Sequence, residues 1–128
     1  MTAEDELYVL VVDDEPPVIR AITTTLRKVL PIRDASSIAA AKLLLDDGGL
    51  RWAAFIFDGE LADGSCFALL DHARVRHPDV PTLVLSGRAT DVFRERVRLA
   101  GASYMNKPFE LQELRAFVSA AKGERAAR

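Results

Sequence analysis

The most regular feature of the chain is an alternation between short, unbroken apolar runs and longer segments with helical period. Leu7–Val12 and Trp52–Phe57 are the longest runs, six residues each. They are continuous rather than alternating, as expected of parallel strands covered on both faces. Leu7–Val12 is read as strand one and is followed by a helix over about 17–30, with Val18, Ile22, Leu26 and Val29 on one face and Pro31 as its stop. A short strand over 32–35 leads to a helix over 37–46, with Ser37 as N-cap and Gly48-Gly49 as the terminator. Trp52–Phe57 is strand three. The turn Asp63-Gly64 hands over to a helix presenting Phe67, Leu70, His72 and Val75 and ending near His77. Pro78 and Pro81 bracket the next turn, before strand four over 82–85, a helix over 91–100, strand five over 102–105 and a last helix over 111–121. Five βα units in one chain are the signature of an α/β domain.

Length and charge narrow the class. The 128 residues carry 17 Lys plus Arg against 19 Asp plus Glu, a net charge of −2, with 49% hydrophobic residues. One domain over 7–122 is expected, with disordered ends at 1–6 and 123–128. Its core is large enough to need neither disulfides nor a structural metal. The balanced charge gives no global basic field for nucleic acid or an anionic membrane. Six-residue apolar runs fall far short of the ~20 residues that cross a bilayer. The acidic start Met1–Glu6 lacks the positive region of a secretory signal, and the one cysteine, Cys66, fits a reducing compartment, so the chain reads as cytoplasmic.

In an open parallel sheet, ligands sit beyond the carboxyl ends of the strands. The residues there are Asp13, Asp14 and Glu15 after strand one, Asp58 after strand three, Ser86-Gly87 after strand four and Asn106-Lys107-Pro108 after strand five. Right-handed crossovers place them all on one edge. Bringing Asp13, Asp14 and Asp58 within ~5 Å costs about 3 kcal/mol per ionised pair at an effective dielectric near 20, so a cation must offset it. Oxygen-only ligands suit Mg²⁺, and Lys107 adds a fixed positive charge. A carboxylate such as Asp58 can also attack a phosphoryl group. The outer oxygens of that group would then meet Mg²⁺, the Lys107 ammonium and the Ser86 hydroxyl.

Over residues 7–121 the chain resembles the receiver domains of two-component response regulators, the CheY-like superfamily. The matching stretches are Val11-Val12-Asp13-Asp14-Glu15-Pro16, Phe57-Asp58-Gly59-Glu60-Leu61-Ala62-Asp63-Gly64, Leu85-Ser86-Gly87, Gly101-Ala102 and Tyr104-Met105-Asn106-Lys107-Pro108-Phe109. Each motif is weak alone, but their joint order and spacing are specific. The resemblance implies a flavodoxin-like, doubly wound (βα)5 fold with a five-stranded parallel sheet ordered 2-1-3-4-5. It implies Asp58 as phosphoacceptor, Asp14 as a direct Mg²⁺ ligand, Asp13 as a ligand through water, and the Glu60 backbone carbonyl as a further ligand. Ser86 is the implied switch hydroxyl, Lys107 the phosphoryl-binding lysine, Tyr104 the aromatic switch, and Lys107–Pro108 a cis bond. Glu60 and Arg88 are implied to flank the approach of hydrolytic water. The implied partners are a histidine kinase or phosphotransfer protein and a separate effector or output domain, with a phosphorylation-dependent homodimer allowed. A protein that catalyses only its own phosphorylation and slow dephosphorylation is a switch rather than an enzyme.

Departures from the family pattern are modest. Ala62 stands where many members carry proline, which is expected to loosen the loop after Asp58. Ser86 replaces a more frequent threonine, and Gly87 a common alanine that would hold the switch loop stiffer. Each acidic or hydroxyl residue alone has an ordinary reading as cap, turn or solvated charge, and only the combination reverses it. His72 and His77 lie about 140° apart around a helix and cannot share a ligand. Cys66 reads as a small core filler, and Trp52, Phe67, Phe93, Phe109 and Phe117 as packing. Arg88, Arg94, Arg96 and Arg98 are offset by Asp91 and Glu95, so that segment reads as a solvated face.

Three other functions compete. A phosphorylation-independent interaction module should have a defective acidic edge, and this one is intact. A phosphoaspartyl hydrolase of the haloacid dehalogenase type wants an aspartate two residues after the nucleophile, where Glu60 stands, and a cap domain that the chain has no length for. Flavin mononucleotide binding needs a glycine- and hydroxyl-rich loop after strand one, where the acidic run would repel phosphate.

Overall fold

The computed structural model describes residues 6–87 and 90–126. Five parallel strands form the sheet: β1 (Leu7–Val12), β2 (Ile32–Ala35), β3 (Arg51–Asp58), β4 (Thr82–Ser86) and β5 (Ser103–Asn106), in the spatial order β2-β1-β3-β4-β5. Five helices connect and cover them: α1 (Pro16–Leu26), α2 (Ile38–Leu45), α3 (Cys66–Arg76), α4 (Asp91–Leu99) and α5 (Leu111–Ala126). This is the doubly wound, flavodoxin-like arrangement that the resemblance implies, and an α/β domain as the alternating pattern predicts. A small antiparallel hairpin, Glu60–Leu61 with Gly64–Ser65, sits between β3 and α3, where the apolar pattern predicts only a turn. Two-residue strands leave no periodicity to read.

The sheet divides the core in two. Leu10, Val12, Trp52, Phe55, Phe57 and Val84 point to one side, packing against Ile38, Ala41 and Leu45 of α2, Leu69 and Leu70 of α3 and Val97 of α4. On the other side Val9, Val11, Ile56, Leu83 and Leu85 meet Ile22 and Leu26 of α1 and Leu114 and Val118 of α5. β3 shows why both faces work: Trp52, Phe55 and Phe57 form an aromatic row, with Phe55 and Phe57 stacked at 5.5 Å, while Ala53 and Ala54 leave room for α5 opposite. Each large side chain so buried contributes about 1.5–3 kcal/mol, and this central strand carries the largest share.

Helix boundaries follow local chemistry. The hydroxyl of Ser37 caps α2 by accepting from the Ala40 amide at 3.1 Å, as expected, and Ser65 and Thr90 cap α3 and α4 in the same way. α1 stops at Leu26 rather than continuing to residue 30. α5 runs on to Ala126, through residues 123–126 that the sequence assigns to a disordered tail. Residues 1–5 lie outside the described residues. On α3 the buried side chains are Cys66, Leu69, Leu70 and Ala73, while Val75 is exposed. The face is therefore rotated from the one Phe67 and Val75 imply, because α3 starts inside the hairpin and is aimed by Cys66. His72 and His77 go to separate partners, Asp46 and the Leu45 carbonyl, and both pin α3 to the end of α2.

α4 ends in a Schellman motif: the Gly101 amide donates to the Arg98 carbonyl and the Ala102 amide to that of Val97, at 2.9 and 3.1 Å. Gly101 adopts φ of +81°, the left-handed conformation that this motif requires. Arg74 also donates to the Ala100 carbonyl there, and its guanidinium fills the space of a Gly101 side chain. Gly101→Ala is expected to cost about 1–2 kcal/mol in urea unfolding, chiefly from the backbone. The loss should therefore persist in an Arg74→Ala background, where no guanidinium crowds the new methyl.

Candidate functional site

Strand register alone assembles the carboxyl edge. Val12 is level with Phe57, so Asp13 and Asp58 leave adjacent strands side by side. Asp58 is level with Leu85 and Ser86 with Asn106, and the Lys107 amide donates to the Ser86 carbonyl at 3.0 Å. Asp13, Asp14 and Asp58 each offer an oxygen within 4.8 Å of the others. Asp13 and Asp58 are 1% and 2% exposed, and Asp14 is half-buried. The Lys107 ammonium reaches across from β5, donating to Asp58 Oδ1 at 3.1 Å and standing 3.6 Å from Asp13 Oδ2. The Lys107–Pro108 peptide is cis.

Backbone amides supply the remaining order. Glu15 donates to Asp13 Oδ1 at 2.9 Å, Glu60 to Asp58 Oδ1 at 3.0 Å and Ala62 to Asp14 Oδ2 at 3.1 Å. Burial pushes the Asp13 and Asp58 carboxyls above the usual aspartate range, against the opposing pull of those amides and of Lys107. Burial also works to lower Lys107, but its hydrogen bond to Asp58 and the charges of Asp58 and Asp13 outweigh it, and the ammonium is held above its ordinary value. One cation thus faces two buried anions, and Asp13 Oδ2 is buried without a hydrogen-bond partner. An orphaned carboxylate oxygen beside two more carboxylates is a donor set that fits a hard divalent cation such as Mg²⁺.

Around this acidic centre lie the remaining expected residues. Ser86 is buried, and its hydroxyl donates to Glu60 Oε1. Tyr104 is half-buried, with its hydroxyl against the Asn106 side chain and 2.9 Å from the Ser86 carbonyl. Arg88 lies outside the described residues. Gly59 is a participant that motif reading passes over: a Cβ there would sit 3.0 Å from Ser86 Cβ and 3.1 Å from the Phe93 ring. Phe93 in turn bridges Phe67 and Tyr104 in edge contacts with ring centres 5.3 and 6.4 Å apart. No sequence signal separates Phe93 from an ordinary core aromatic, since its role depends on which rings it touches. Asp63 is likewise missed as a link: its carboxylate accepts from the Ile38 and Ala39 amides at the start of α2, which holds its carboxyl below the usual range.

The response regulator receiver domain model matches residues 9–119. The chain belongs to this family. A probable transcriptional regulatory protein TcrX of Mycobacterium tuberculosis is 32% identical over an alignment of 114 residues that covers 83% of this chain and 45% of the relative. The chain thus spans less than half that relative's length. A receiver domain protein from Clostridium thermocellum superposes with TM-score 0.85 at 20% identity, covering 94% of this chain and 98% of that one. A CheY-like receiver protein from Methanospirillum hungatei gives 0.83 at 19% identity over 94% and 99%. These likenesses show the fold.

Where many members of the family carry proline, Ala62 keeps a backbone amide that has a partner of its own. The Ala62 amide hydrogen bonds to Asp14, a contact that proline has no N–H to make, so this receiver fastens the loop to the acidic edge instead of stiffening it covalently. Gly87 leaves ordinary van der Waals room for a methyl, its nearest neighbours being Lys107 atoms at 3.5 and 3.7 Å. The glycine is therefore not demanded by crowding.

Two outcomes follow from this geometry. A carboxyl raised by folding binds its proton more tightly in the native state, so Asp13 detracts from stability at neutral pH. The penalty disappears as pH falls through the raised value toward the ordinary ~3.9. In chelator, Asp13→Asn should unfold at higher urea than the wild type at pH 7, with the gap closing toward pH 4. Adding Mg²⁺ at ten times its dissociation constant should stabilise the wild type by about 1.4 kcal/mol and the variant by less. Ala62→Pro removes the amide that orients Asp14. Mg²⁺ affinity, followed by calorimetry, should fall about tenfold.

Proposed function

We propose that Asp58 accepts a phosphoryl group from the phosphohistidine of a histidine kinase or phosphotransfer protein, and that the added charge resets a surface built on α4 and β5. The observation that carries this reading is the disposition of the Asp58 carboxylate. Among the described residues, both Lys107 and the Glu60 amide bond to its Oδ1, which fixes the group and leaves Oδ2 to act as nucleophile. Attack of Oδ2 on phosphorus forms the acyl phosphate as the bond from phosphorus to the donor nitrogen breaks, and the electron pair of that bond stays on the nitrogen.

Asp13, Asp14 and Asp58, with the Glu60 carbonyl, would hold Mg²⁺, which supplies charge neutralisation for the phosphoryl oxygens. Lys107 stays protonated and offers a second positive partner without leaving its contact with the edge. The Ser86 hydroxyl is the third, and the Ser86 carbonyl, which accepts from the Tyr104 hydroxyl, joins the site to β5. Because aspartate attacks and then retains the group, the chain switches itself rather than turning over a substrate, which supports a non-enzymatic role. A separate effector or an output domain would read the state. No helix among the described residues is long and apolar enough to cross a membrane, and Cys66 is a free, buried thiol pushed up to about 11 by burial, both in keeping with action in the cytoplasm.

Incubation with acetyl phosphate and Mg²⁺ should add one phosphoryl group by intact mass. Asp58→Asn or excess chelator should abolish it, and undiminished labelling in either would refute the assignment. Ser86→Ala should still be labelled, but with the amide shifts over residues 86–106 left near their unphosphorylated positions.

A further inference from the structure

The contact between Ser86 and Glu60 has a consequence for the switch. A hydroxyl carries one proton, and that of Ser86 is given to Glu60 Oε1, so it is not available to an oxygen on Asp58. The two residues arrive from different loops. Ser86 ends β4, is buried, and has its backbone bound to β5 through the Lys107 amide. Glu60 is exposed and begins the hairpin, with its own amide bonded to Asp58. Gly59 allows them to meet by bringing the loop within van der Waals distance of Ser86. Of the two partners, only the Glu60 carboxylate has solvent into which it can move.

We infer that the Glu60 carboxylate is a latch on Ser86, closed by a hydrogen bond at rest and opened by charge. The inference rests on Asp58 being the phosphoacceptor. Phosphorylation there converts a singly charged carboxylate into a group of about two negative charges, a net gain of about one, and adds three acceptor oxygens at a position one peptide bond beyond Gly59 from Glu60. The same group therefore repels the acceptor that holds the Ser86 proton and offers a replacement for it. No covalent bond changes in this exchange: Glu60 swings outward and Ser86 rotates about χ1. Serine suits it better than the more frequent threonine, because a β-branched side chain is stiffer at χ1. The resting protein is thereby kept from adopting the switched arrangement of Ser86 and Tyr104 before Asp58 is modified.

Two substitutions separate the bond from the charge. Glu60→Ala removes both, whereas Glu60→Gln retains an acceptor oxygen and loses the repulsion. Amide shifts of Gly87, Tyr104 and Asn106, recorded in Mg²⁺ before and after acetyl phosphate, define a line between the resting and phosphorylated wild type. Resting Glu60→Ala should move along that line toward the phosphorylated end, with about a fivefold gain in switched population, the factor carried by one ordinary hydrogen bond. Resting Glu60→Gln should coincide with the wild type but travel less far on phosphorylation. In a Ser86→Ala background, Glu60→Ala should add no displacement. Intact mass of the wild type in the same samples reports on Asp58 separately. If the wild type takes no label, the phosphoacceptor reading fails and the latch with it. If it labels while resting Glu60→Ala stays at the wild-type position, or if the displacement persists without the Ser86 hydroxyl, the latch alone is overturned.

Discussion

Two buried carboxylates and one ammonium set the terms for the rest of this molecule. Asp13 and Asp58 are almost wholly removed from water, yet Lys107 is the one basic side chain bridging them among the described residues. Buried anions are tolerated only when paired and hydrogen-bonded, so the ends of β1, β3 and β5 must stay in register for the edge to exist. The compensation is incomplete, as the orphaned Asp13 oxygen shows. That incompleteness is the feature that fits a divalent cation: a metal bound there would relieve the electrostatic tension and couple its own binding to the stability of the edge.

The same edge is wired to one flank of the domain by packing. Gly59 brings the loop after β3 against both Ser86 and Phe93, and Phe93 lies between Phe67 of α3 and Tyr104 of β5. Arg96 stands over Phe67 and Arg94 over Tyr104, at 3.9 and 5.8 Å from the ring centres. The segment that sequence treats as a solvated basic face therefore has two of its arginines committed to aromatic rings. Ser86 and α4 are thus joined through close-packed atoms, and close-packed interiors respond to a displacement by switching between arrangements rather than by gradual deformation.

Hydrogen bonds to the loop after β3 show a different solution from the covalent one. Asp14 accepts from Ala62, and Asp63 from the start of α2, so both sides of the hairpin are tied by carboxylates to elements on either side. Such ties can be broken and remade, whereas proline restricts the chain permanently. The loop that carries Glu60 is thus positioned by hydrogen bonds rather than by a covalent restraint.

Much of this was legible from sequence because the physics involved is local or topological. Six-residue apolar runs rich in β-branched and aromatic residues are too short for buried helices and read as strands covered on both faces. Alternation of strands with helices forces a parallel sheet, and right-handed crossovers put Asp13, Asp14, Asp58, Ser86 and Lys107 on one edge. Ser37 as a cap needs nothing beyond its neighbours. What tertiary structure alone decided depends on distances between residues far apart in the chain. The hairpin over 60–65 is too short to leave a period, and the buried face of α3 is set by where that hairpin delivers Cys66. The Ala62 amide gains meaning only when Asp14 lies 3.1 Å away, 48 positions earlier. Likewise, Ser86 and Glu60 each read as a participant at the site, but which of them holds the other's proton is a matter of side-chain approach. Sequence specifies the groups and the edge on which they gather, while their pairing is fixed by packing to within tenths of an ångström.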